Sequence, residues 1–546
     1  MKILIVGGVA GGASAAARAR RLSEKAVIIL VDRGPYVSFA NCGLPYFVGN
    51  VIKNEKDLLV ATPDLFRDRF NIEVRLESEV LSVDAAARAV RIKDLKTGRE
   101  YTESYDALVL SPGAAPIRPP LPGIDLPGIF ALRTIPDSRR IREWIAEKKA
   151  RSAVIVGGGF IGLEMAENLS AQGLKVSVVE MQPQVLPPFD AEMVRAVHDE
   201  LKKNGVSLHL GEAVSAFEKN GTGGIRVLAK SGLSLEADLV ILSIGVKPET
   251  RLAEAAGLKL GPRGGISVDD AMRTSDASIW AVGDAVEKKD LITHESIAVP
   301  LAGPANRQGR VAAGSILGRA DKFRGVQATA VCKAFGTVAA MTGASEKTLK
   351  RAGIPYEKIY LHPGHHAGYF PNAKPIDIKL MFSPADGKIL GAQAVGQEGV
   401  EKRIDVISMA LQMRATVYDI EEAELCYAPQ FGAAKDPVNV AGMIAANHLR
   451  GDAPVAHWES IRTDRDYLLD VRDADEYAAY HAPGAVNIPL GSLRSRLKEI
   501  PAGRAVYVYC GVGQRAYYAV RALRENGFDA RNLSGGIQSY RPGETG

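Results

Sequence analysis

Two stretches of the sequence share one pattern, a short apolar strand followed by a glycine-rich turn and a helix. "KILIVGGVAGGASAAARAR" begins at Lys2, and "SAVIVGGGFIGLEMAENL" begins at Ser152. Glycines in such a turn let backbone N–H groups approach a pyrophosphate at the positive end of the helix, where side chains would collide. The repeat therefore predicts two nucleotide-binding sites on parallel sheets, within an α/β fold class.

An acidic residue at the end of the following strand strengthens both predictions, because its carboxylate can accept hydrogen bonds from ribose hydroxyls. Asp32 follows the turn that starts at Gly7, and Glu180 follows the turn that starts at Gly157. The alternative is that the glycines only allow a tight turn between strand and helix. That alternative would not explain why an acidic residue ends the next strand in both copies. Met181 beside Glu180 offers no cation to a 2′-phosphate, so we expect the second site to use NADH rather than NADPH.

The second nucleotide unit is bracketed by two similar segments, "YDALVLSPGAAP" at 105–116 and "ADLVILSIGVKP" at 237–248. Each is typical of an apolar strand that ends near a glycine. The chain continues with "SIWAVGDAVE", where Asp284 follows Gly283 at a strand end. This order predicts that the second nucleotide domain is inserted into the first, and that Asp284 bonds a hydroxyl of the first cofactor.

The composition excludes several classes of protein. A chain of 546 residues is long enough for three or four domains. The net charge of +5, without a run of Lys or Arg, does not indicate a nucleic-acid partner. The sequence starts directly in a strand and contains no apolar run of about 18 residues, so we expect a cytoplasmic protein without a membrane span.

The cysteines and histidines predict neither a disulfide framework nor a metal site. Four widely spaced cysteines without CxxC spacing are expected to be reduced thiols: Cys42, Cys332, Cys426 and Cys510. Cys332 and Cys426 lie in apolar or packed contexts and are interpreted as structural. Three histidines are interpreted as loop residues, since no nearby carboxylate or cysteine completes a ligand set: His362, His365 and His366.

Together these motifs resemble the pyridine nucleotide-disulfide oxidoreductases, which bind FAD in the first nucleotide domain and NADH in the second. Ser38, Phe39 and Cys42 form the SFxxC pattern of the single-cysteine class, which includes coenzyme A-disulfide reductases, NADH oxidases and NADH-dependent persulfide reductases. Phe47 stands where two-cysteine relatives carry a second thiol. A lone cysteine is usually a small buried hydrophobe, but polar Asn41 precedes this one.

The resemblance extends from residue 1 to about 448 and includes "VPLAGPANRQGR" at 299–310. It implies a homodimer and three domains: FAD-binding at 1–112 and 246–325, NAD-binding at 113–245, and α+β dimerisation at 326–448. The implied FAD contacts are Gly7, Gly8, Ala10, Gly11, Gly12, Asp32, Arg33, Asn41, Val80, Gly113, Asp284 and Ala302. The implied NADH contacts are Gly157, Gly159, Phe160, Ile161, Gly162, Glu180 and Gly245. The implied coenzyme A contacts are Ser14, Arg18, Arg21, Ser38 and Asn41.

In such relatives the single cysteine forms a mixed disulfide with coenzyme A or cycles through a sulfenic acid. The second thiol is then supplied by the substrate. The resemblance also implies that Tyr369 and Tyr427 reach the Cys42 site of the other subunit, where a tyrosine hydroxyl can donate a hydrogen bond to a leaving thiolate. Considered without the resemblance, both would be ordinary interface tyrosines.

The last part of the chain, 455–546, contains six polar or glycine residues in a characteristic order: Asp470, Arg472, Glu476, His481, Gly484 and Asn487. This order resembles that of a rhodanese, a small α/β domain. Cys510 opens a six-residue loop that ends at Arg515 and leads into an amphipathic helix. The N–H groups of such a loop, together with Arg515, are expected to lower the pKa of the thiol and to stabilise a persulfide. A domain that only binds partners is the alternative.

The complete expectation is an α/β protein with two Rossmann-like nucleotide-binding domains, an α+β dimerisation domain and a C-terminal α/β rhodanese domain. We expect it to use FAD and NADH to reduce coenzyme A persulfide, polysulfide or coenzyme A disulfide at Cys42, coupled to sulfur transfer at Cys510. Two alternatives stay open. One is an NADH oxidase or peroxidase that uses a Cys42 sulfenic acid, and the other is a sulfur-relay or redox-sensing partner protein.

Overall fold

The computed structural model describes residues 1–221, 223–462 and 465–540. These residues form two compact units. One comprises Met1–Pro187 and His198–Val326, and the other comprises Pro188–Val197 with the described residues from Gln327 onward. The predicted end of the rhodanese domain, at 541–546, lies outside the described residues.

The first unit begins with a five-stranded sheet in which every pairing is parallel. Its strand order is Ile279–Ala281, Ala107–Leu110, Lys2–Val6, Val27–Val31 and Glu73–Arg75. Continuous apolar runs such as "KILIV" form these strands because a parallel sheet is covered on both faces. Two helices that pack on each other are Ala10–Leu22 and Ala302–Ile316. A Cβ at Gly309 would lie 2.2 Å from the Gly11 carbonyl oxygen, so this close packing requires glycine.

Smaller elements complete this part of the unit. Its short helices are Leu44–Val48, Pro63–Phe70 and Arg251–Ala255. One antiparallel sheet contains Ser78–Asp84, Ala89–Asp94 and Glu100–Ser104. A further three-stranded sheet contains Ile266–Ser267, Val286–Lys289 and Ser296–Ile297. Three one-turn helices are Asn41–Gly43, Glu55–Leu58 and Gly283–Ala285.

The second nucleotide sheet belongs to the same compact unit. Its five parallel strands have the order Ser207–Leu210, Lys175–Glu180, Ser152–Val156, Leu239–Leu242 and Ile129–Ala131. Its helices include Ile135–Lys148 and Phe160–Ala171, and an antiparallel sheet contains Val214–Lys219, Ile225–Ala229 and Ser234–Ala237. The bracketing segments meet, because Ala114–Pro116 pairs with Val246–Pro248. The chain leaves the first sheet and later returns to it, as the insertion predicts.

The second unit contains an antiparallel five-stranded sheet. Its strand order is Ala330–Ala334, Thr337–Gly343, Ile389–Gly396, Ile376–Phe382 and Glu357–Leu361. Its helices are Glu346–Ala352, Val400–Gln412, Val417–Glu421 and Pro437–Leu449. Asp386 and Gly387 lie in the turn between two neighbouring strands, and Gly387 has a φ of 72° that favours glycine.

The same unit ends in a five-stranded parallel sheet. The strand order is Val455–Ala456, Ala530–Leu533, Val506–Tyr509, Tyr467–Asp470 and Val486–Asn487. The α-helices around it are Ala474–Ala479, Leu490–Leu493 and Gln514–Glu525. The remaining helices of the described chain are Ala191–Val194, Arg195–Lys203, Trp458–Ser460, Leu497–Glu499 and Gly536–Ser539. The predicted α/β fold class is confirmed.

Two interpretations of single residues need correction. Cys332 is buried within a strand, as predicted. Cys426 is exposed, and it lies in a segment that is neither helix nor strand. His362 and His365 do have carboxylates nearby, at 2.5 Å from Asp377 and 3.4 Å from Glu398 respectively. None of the helices in the described part of the chain has the length and apolar character that a bilayer span needs.

Candidate functional site

The first nucleotide site lies where the parallel strands of the first sheet end. The predicted turn residues connect the first strand to the first helix: Gly7, Gly8, Ala10, Gly11 and Gly12. Gly7 has a φ of 93°, and a Cβ there would lie 2.1 Å from the Ser111 carbonyl oxygen. A Cβ at Gly12 would lie 1.8 Å from the Gly7 carbonyl oxygen. The backbone therefore forms a cradle that only glycine permits, and it fits the pyrophosphate of FAD.

Asp32 ties this cradle to the next strand. Its carboxylate accepts backbone N–H groups from Gly8 and Gly34, each at 2.7 Å. Burial raises the pKa of Asp32, and the two N–H groups act in the opposite direction. The carboxylate keeps lone pairs that can accept ribose hydroxyls.

Asp284 follows the strand Ile279–Ala281 at the same edge of the sheet. No hydrogen bond to its carboxylate is present among the described residues, and burial raises its pKa while the Arg133 charge lowers it. A half-buried carboxylate without a donor is costly unless a ligand supplies one. The hydroxyl-rich chain of FAD fits this position.

Arg133 is a candidate cofactor contact that the sequence analysis missed. Its guanidinium donates to the Pro112 carbonyl oxygen at 3.3 Å, and its own carbonyl accepts the Asn41 amide at 3.1 Å. A Cβ at Gly113 would lie 2.8 Å from Arg133 Nη2. Burial lowers the pKa of Arg133, whereas the Glu249 charge raises it. Arg133 belongs to neither glycine motif, so only the fold shows that it lies beside residues predicted to bind FAD.

The other predicted FAD residues lie in different settings. Arg33 forms an ion pair with Glu249 at 2.7 Å. Val80 belongs to the buried core of the first unit, and Ala302 begins the helix Ala302–Ile316. Contact between these side chains and FAD stays a prediction.

The second nucleotide site repeats the first. Gly157 has a φ of 106°, and a Cβ at Gly162 would lie 2.1 Å from the Gly157 carbonyl oxygen. Glu180 accepts the N–H groups of Gly158 at 2.7 Å and Gln182 at 2.8 Å, as Asp32 does in the first site. The other predicted residues lie at the carboxyl ends of this sheet: Gly159, Phe160 and Ile161 at the helix start and Gly245 after Leu239–Leu242.

Cys42 lies exposed in the one-turn helix Asn41–Gly43. The preceding loop is fixed to the first glycine turn, because the Ser38 N–H donates to the Gly8 carbonyl oxygen at 2.8 Å. The Val60 N–H donates to the Ser38 carbonyl oxygen at 2.8 Å and holds the loop on its other side. All four cysteines are free thiols.

The charges around Cys42 come from both nucleotide domains. Although the Cys42 residue is exposed to solvent on one side, the groups packed around its thiol desolvate it and raise its pKa, and the negative charges of Glu164 and Asp284 raise it further. Glu164 lies on the helix Phe160–Ala171, and burial raises its own pKa to about 7. The chain's own charges therefore favour the protonated thiol, whereas attack on a disulfide requires the thiolate.

The predicted coenzyme A contacts on the first helix lie among several cations. Burial lowers the pKa of Arg18, and the charges of Arg310, Arg319 and Arg21 act in the same direction. The Arg18 Nε is buried without a hydrogen-bond partner among the described residues. Ser14 donates a hydrogen bond to Asn306. A cation cluster with a free N–H fits a phosphate group.

Tyr369 and Tyr427 lie together in the second unit. Their hydroxyl oxygens are 2.6 Å apart and both side chains are exposed. The hydrogen bond with Tyr427 raises the pKa of Tyr369. The structure thus pairs two tyrosines that stand 58 positions apart in the chain.

The loop at Cys510 is shorter than predicted. Cys510 directly follows the strand Val506–Tyr509, and the helix Gln514–Glu525 already includes Arg515. The Gly513 N–H donates to Cys510 Sγ at 3.2 Å, and the thiol side chain is buried. Among the described residues one backbone N–H group therefore meets the sulfur, whereas the resemblance implies several.

Arg515 is oriented by a carboxylate. Its two terminal nitrogens donate to Glu476 at 2.6 and 2.7 Å, and Asp473 is 3.4 Å away. The hydrogen bond from Arg515 lowers the pKa of Glu476 to about 2, and the same pair raises the pKa of Arg515. The nearby Cys510 also raises the pKa of Arg515, so the guanidinium lies within electrostatic reach of the sulfur.

One cluster of carboxylates has the composition of a cation site. Asp190, Glu192 and Glu346 converge within 4.8 Å of one another in the second unit. The buried Lys379 ammonium lies among them, at 3.0, 2.5 and 2.5 Å respectively. These charges raise the pKa of Lys379 despite its burial. The lysine therefore supplies the positive charge that the three carboxylates need.

Three family descriptions match successive parts of the chain. "Pyridine nucleotide-disulphide oxidoreductase" matches residues 1–308, and the dimerisation domain of the same family matches residues 329–436. "Rhodanese-like domain" matches residues 455–542. The order of the three matches agrees with the order of the sheets in the chain.

Individual relatives agree with these matches. The coenzyme A disulfide reductase of Staphylococcus haemolyticus is 34% identical over 442 residues, which cover 81% of this chain and 98% of the relative. The crystal structure of reduced Bacillus anthracis CoADR-RHD superposes with a TM-score of 0.96 at 47% identity, covering 99% of this chain and 97% of that one. The NAD-dependent persulfide reductase from A. fulgidus superposes with a TM-score of 0.91 at 36% identity, covering 99% and 100%.

Proposed function

Because the chain belongs to the pyridine nucleotide-disulphide oxidoreductase family, we propose that it uses FAD and NADH to reduce coenzyme A persulfide, polysulfide or coenzyme A disulfide at Cys42. The position of Cys42 carries this proposal. Its loop is hydrogen-bonded to the glycine turn of the first nucleotide site, and Phe47 stands where a second thiol would be needed for an internal disulfide. The substrate must then supply the second sulfur.

The two cofactors have separate binding sites within the first unit. FAD would be held by the first glycine cradle, Asp32, Asp284 and Arg133, and NADH by the second glycine turn with Glu180. When bound, FAD supplies two-electron transfer from NADH to the sulfur of Cys42. Asp32 and Glu180 each hold a glycine turn against a strand end, so they would orient both nucleotides relative to that backbone.

The substrate step is thiol–disulfide exchange. The Cys42 thiolate attacks the inner sulfur of coenzyme A persulfide, so that the S–S bond breaks and HS⁻ leaves. The new bond is a Cys42–S–S–coenzyme A mixed disulfide, and two electrons from NADH return both sulfurs to the thiol level. Coenzyme A disulfide follows the same path with a coenzyme A thiolate as leaving group. Desolvation and the charges of Glu164 and Asp284 raise the pKa of the Cys42 thiol, so its proton must pass to solvent before the thiolate can attack.

We assign substrate binding to residues of both subunits of a homodimer. Ser14, Arg18, Arg21, Ser38 and Asn41 would contact coenzyme A, with the Arg18 cluster facing its phosphates. Tyr369 and Tyr427 of one subunit would donate to the leaving group at the Cys42 of the other. The domain bounds proposed from the sequence, and a cytoplasmic location where thiols stay reduced, belong to the same proposal.

The second thiol would carry sulfane sulfur. The Cys510 thiolate attacks the outer sulfur of a persulfide donor. The rest of the donor leaves as a thiolate, and Cys510 becomes a persulfide. Transfer of that sulfur to the thiolate of coenzyme A restores Cys510 and forms the substrate of Cys42. The Gly513 N–H and the Arg515 guanidinium stabilise negative charge on the Cys510 sulfur throughout this exchange.

Replacement of Cys42 tests the reductase role. The Cys42→Ser variant should retain the yellow flavin but lose NADH turnover with coenzyme A disulfide and coenzyme A persulfide by at least about a thousandfold, because serine cannot form the mixed disulfide. Steady-state NADH oxidation with these acceptors, and with peroxide and oxygen, is the measurement.

Cys426→Ser is the matched control, because Cys426 is the other exposed thiol. We expect this control to keep wild-type turnover. Undiminished disulfide reduction by Cys42→Ser would refute the proposal. A wild-type preference for peroxide or oxygen over every sulfur acceptor would instead indicate a sulfenic acid cycle at Cys42.

A further inference from the structure

The C-terminal parallel sheet packs onto the open edge of the antiparallel sheet within the second unit. The edge strand is Glu357–Leu361, and its Tyr360 N–H donates to Ser534 Oγ at 2.8 Å. Lys358 of the same strand forms an ion pair with Glu459 at 2.5 Å. An edge strand otherwise leaves such N–H groups without partners. The segment 534–539, here called the bridging turn, is one of the parts of the C-terminal domain that meet this edge.

His362 directly follows the edge strand and holds the bridging turn. Its Nδ1 lies 2.5 Å from Asp377 Oδ1, and its Nε2 lies 3.0 Å from Ser539 Oγ. Gln538 of the bridging turn donates to the same Asp377 oxygen at 3.3 Å. Gly535 has a φ of 73°, and a Cβ there would lie 2.9 Å from His362 Nε2. The same Cβ would lie 2.0 Å from Ser539 Oγ, so the close approach of the imidazole and the serine together requires glycine.

The other side of the bridging turn holds the Cys510 loop. The Ile537 N–H donates to the Cys510 carbonyl oxygen at 2.8 Å, and the Gln538 N–H donates to the Gly511 carbonyl oxygen at 3.1 Å. A Cβ at Gly536 would lie 2.5 Å from the Cys510 carbonyl oxygen. Because peptide units are planar, these bonds also set the direction of the Gly511 and Val512 N–H groups, in the loop that leads to the Gly513 N–H at the sulfur.

We propose that His362, oriented by Asp377, is a positioning residue for sulfur transfer at Cys510. It fixes the bridging turn through Ser539, and the bridging turn fixes the peptide planes of the loop that surrounds the sulfur. The C-terminal thiol site is thus completed by a side chain of the dimerisation region. This inference rests on the proposed sulfurtransferase role of Cys510.

The test uses the full-length, flavin-loaded chain with thiosulfate as sulfur donor and cyanide as acceptor. One sulfur atom passes to Cys510 as sulfite leaves, and it then passes to cyanide as thiocyanate. His362→Ala should lower kcat for thiocyanate formation by about tenfold while KM for thiosulfate changes by less than about twofold, because the loop loses its orientation but not its substrate contacts. NADH-dependent reduction of coenzyme A disulfide should stay at the wild-type rate.

Two further variants separate positioning from folding. His362→Gln keeps a polar group that can reach Ser539, so it should recover most of kcat. In a double-mutant cycle, the double variant His362→Ala/Ser539→Ala should lose no more activity than either single variant, because both changes remove the same hydrogen bond.

Glu459→Gln is the matched control, since it removes a contact to the edge strand without touching the bridging turn. We expect it to transfer sulfur at the wild-type rate. Wild-type kcat in His362→Ala, or an equal loss in Glu459→Gln, would overturn the positioning role. A wild-type chain that forms no thiocyanate would overturn the proposed function of Cys510, and with it the role of His362.

Discussion

Glu180 accepts two backbone N–H groups, so it stabilises the second glycine turn as well as offering lone pairs to a ribose. Replacing it with alanine should weaken NADH binding through both effects. Met181 beside it is 64% exposed and contacts solvent. A change at position 181 therefore alters the charge near the ribose without disturbing the turn.

Met181→Arg should raise kcat/KM for NADPH by about tenfold, because the guanidinium can form charge-assisted hydrogen bonds with a 2′-phosphate. Steady-state kinetics with NADH and NADPH measure the change. Met181→Gln has a similar length without the charge and should not improve NADPH use. If the wild-type chain already prefers NADPH, the interpretation of Glu180 is wrong.

The loop and helix at Cys510 form an element in which backbone and side chain act on one sulfur. The Gly513 N–H meets the sulfur directly, whereas Arg515 is held by Glu476 through two hydrogen bonds. The pKa of Glu476 is lowered from 4.5 to about 2, so the ion pair contributes fully above pH 4.5. Its contribution is lost as the pH falls through about 2.

Glu476→Gln should lower sulfur transfer from thiosulfate by about fivefold, because a neutral amide cannot hold the guanidinium with two charge-assisted bonds. Thiocyanate formation at neutral pH is the measurement. Glu499→Gln serves as a control, since Glu499 forms a similar but exposed pair with Arg496 at 2.6 Å. Equal activity in Glu476→Gln and wild type would show that Arg515 does not need this orientation.

The whole molecule contains two candidate thiols in two compact units, Cys42 in the first and Cys510 in the second. The C-terminal domain packs on the antiparallel sheet of the second unit through the Tyr360 and His362 contacts. A packed domain cannot move freely to deliver its sulfur. We therefore expect a coenzyme A thiol on its long pantetheine arm to carry the sulfur between the two thiols, because attachment of both sites to one chain raises the local concentration of the intermediate.

Cys510→Ser should abolish thiocyanate formation and lower polysulfide reduction, while reduction of preformed coenzyme A persulfide or disulfide persists at Cys42. NADH oxidation with each acceptor checks this difference. A variant that loses activity on every acceptor would make Cys510 part of the reductase step itself. A variant that keeps its activity with every acceptor would show that Cys510 does not deliver sulfur to Cys42.

The sequence by itself determined the two nucleotide sheets and the C-terminal domain, and it located the glycine turns and strand-end acids that we assign to the cofactors. Glycine positions, apolar strands and strand-end acids are local signals, because each follows from backbone geometry within one strand–turn–helix unit. Cys42 and Cys510 were found in the same way, from short motifs. The hydrogen bonds that Asp32 and Glu180 accept from the glycine turns show why a strand-end acid accompanies each turn.

Only the tertiary structure decided which distant residues meet. Arg133 joins the first nucleotide site, and Lys379 occupies the carboxylate cluster, although neither belongs to a motif. His362 was interpreted as a loop residue because its partners Asp377 and Ser539 lie 15 and 177 positions away. Such contacts depend on how sheets pack against one another, and hydrophobic periodicity along a chain does not encode which polar side chains that packing brings together.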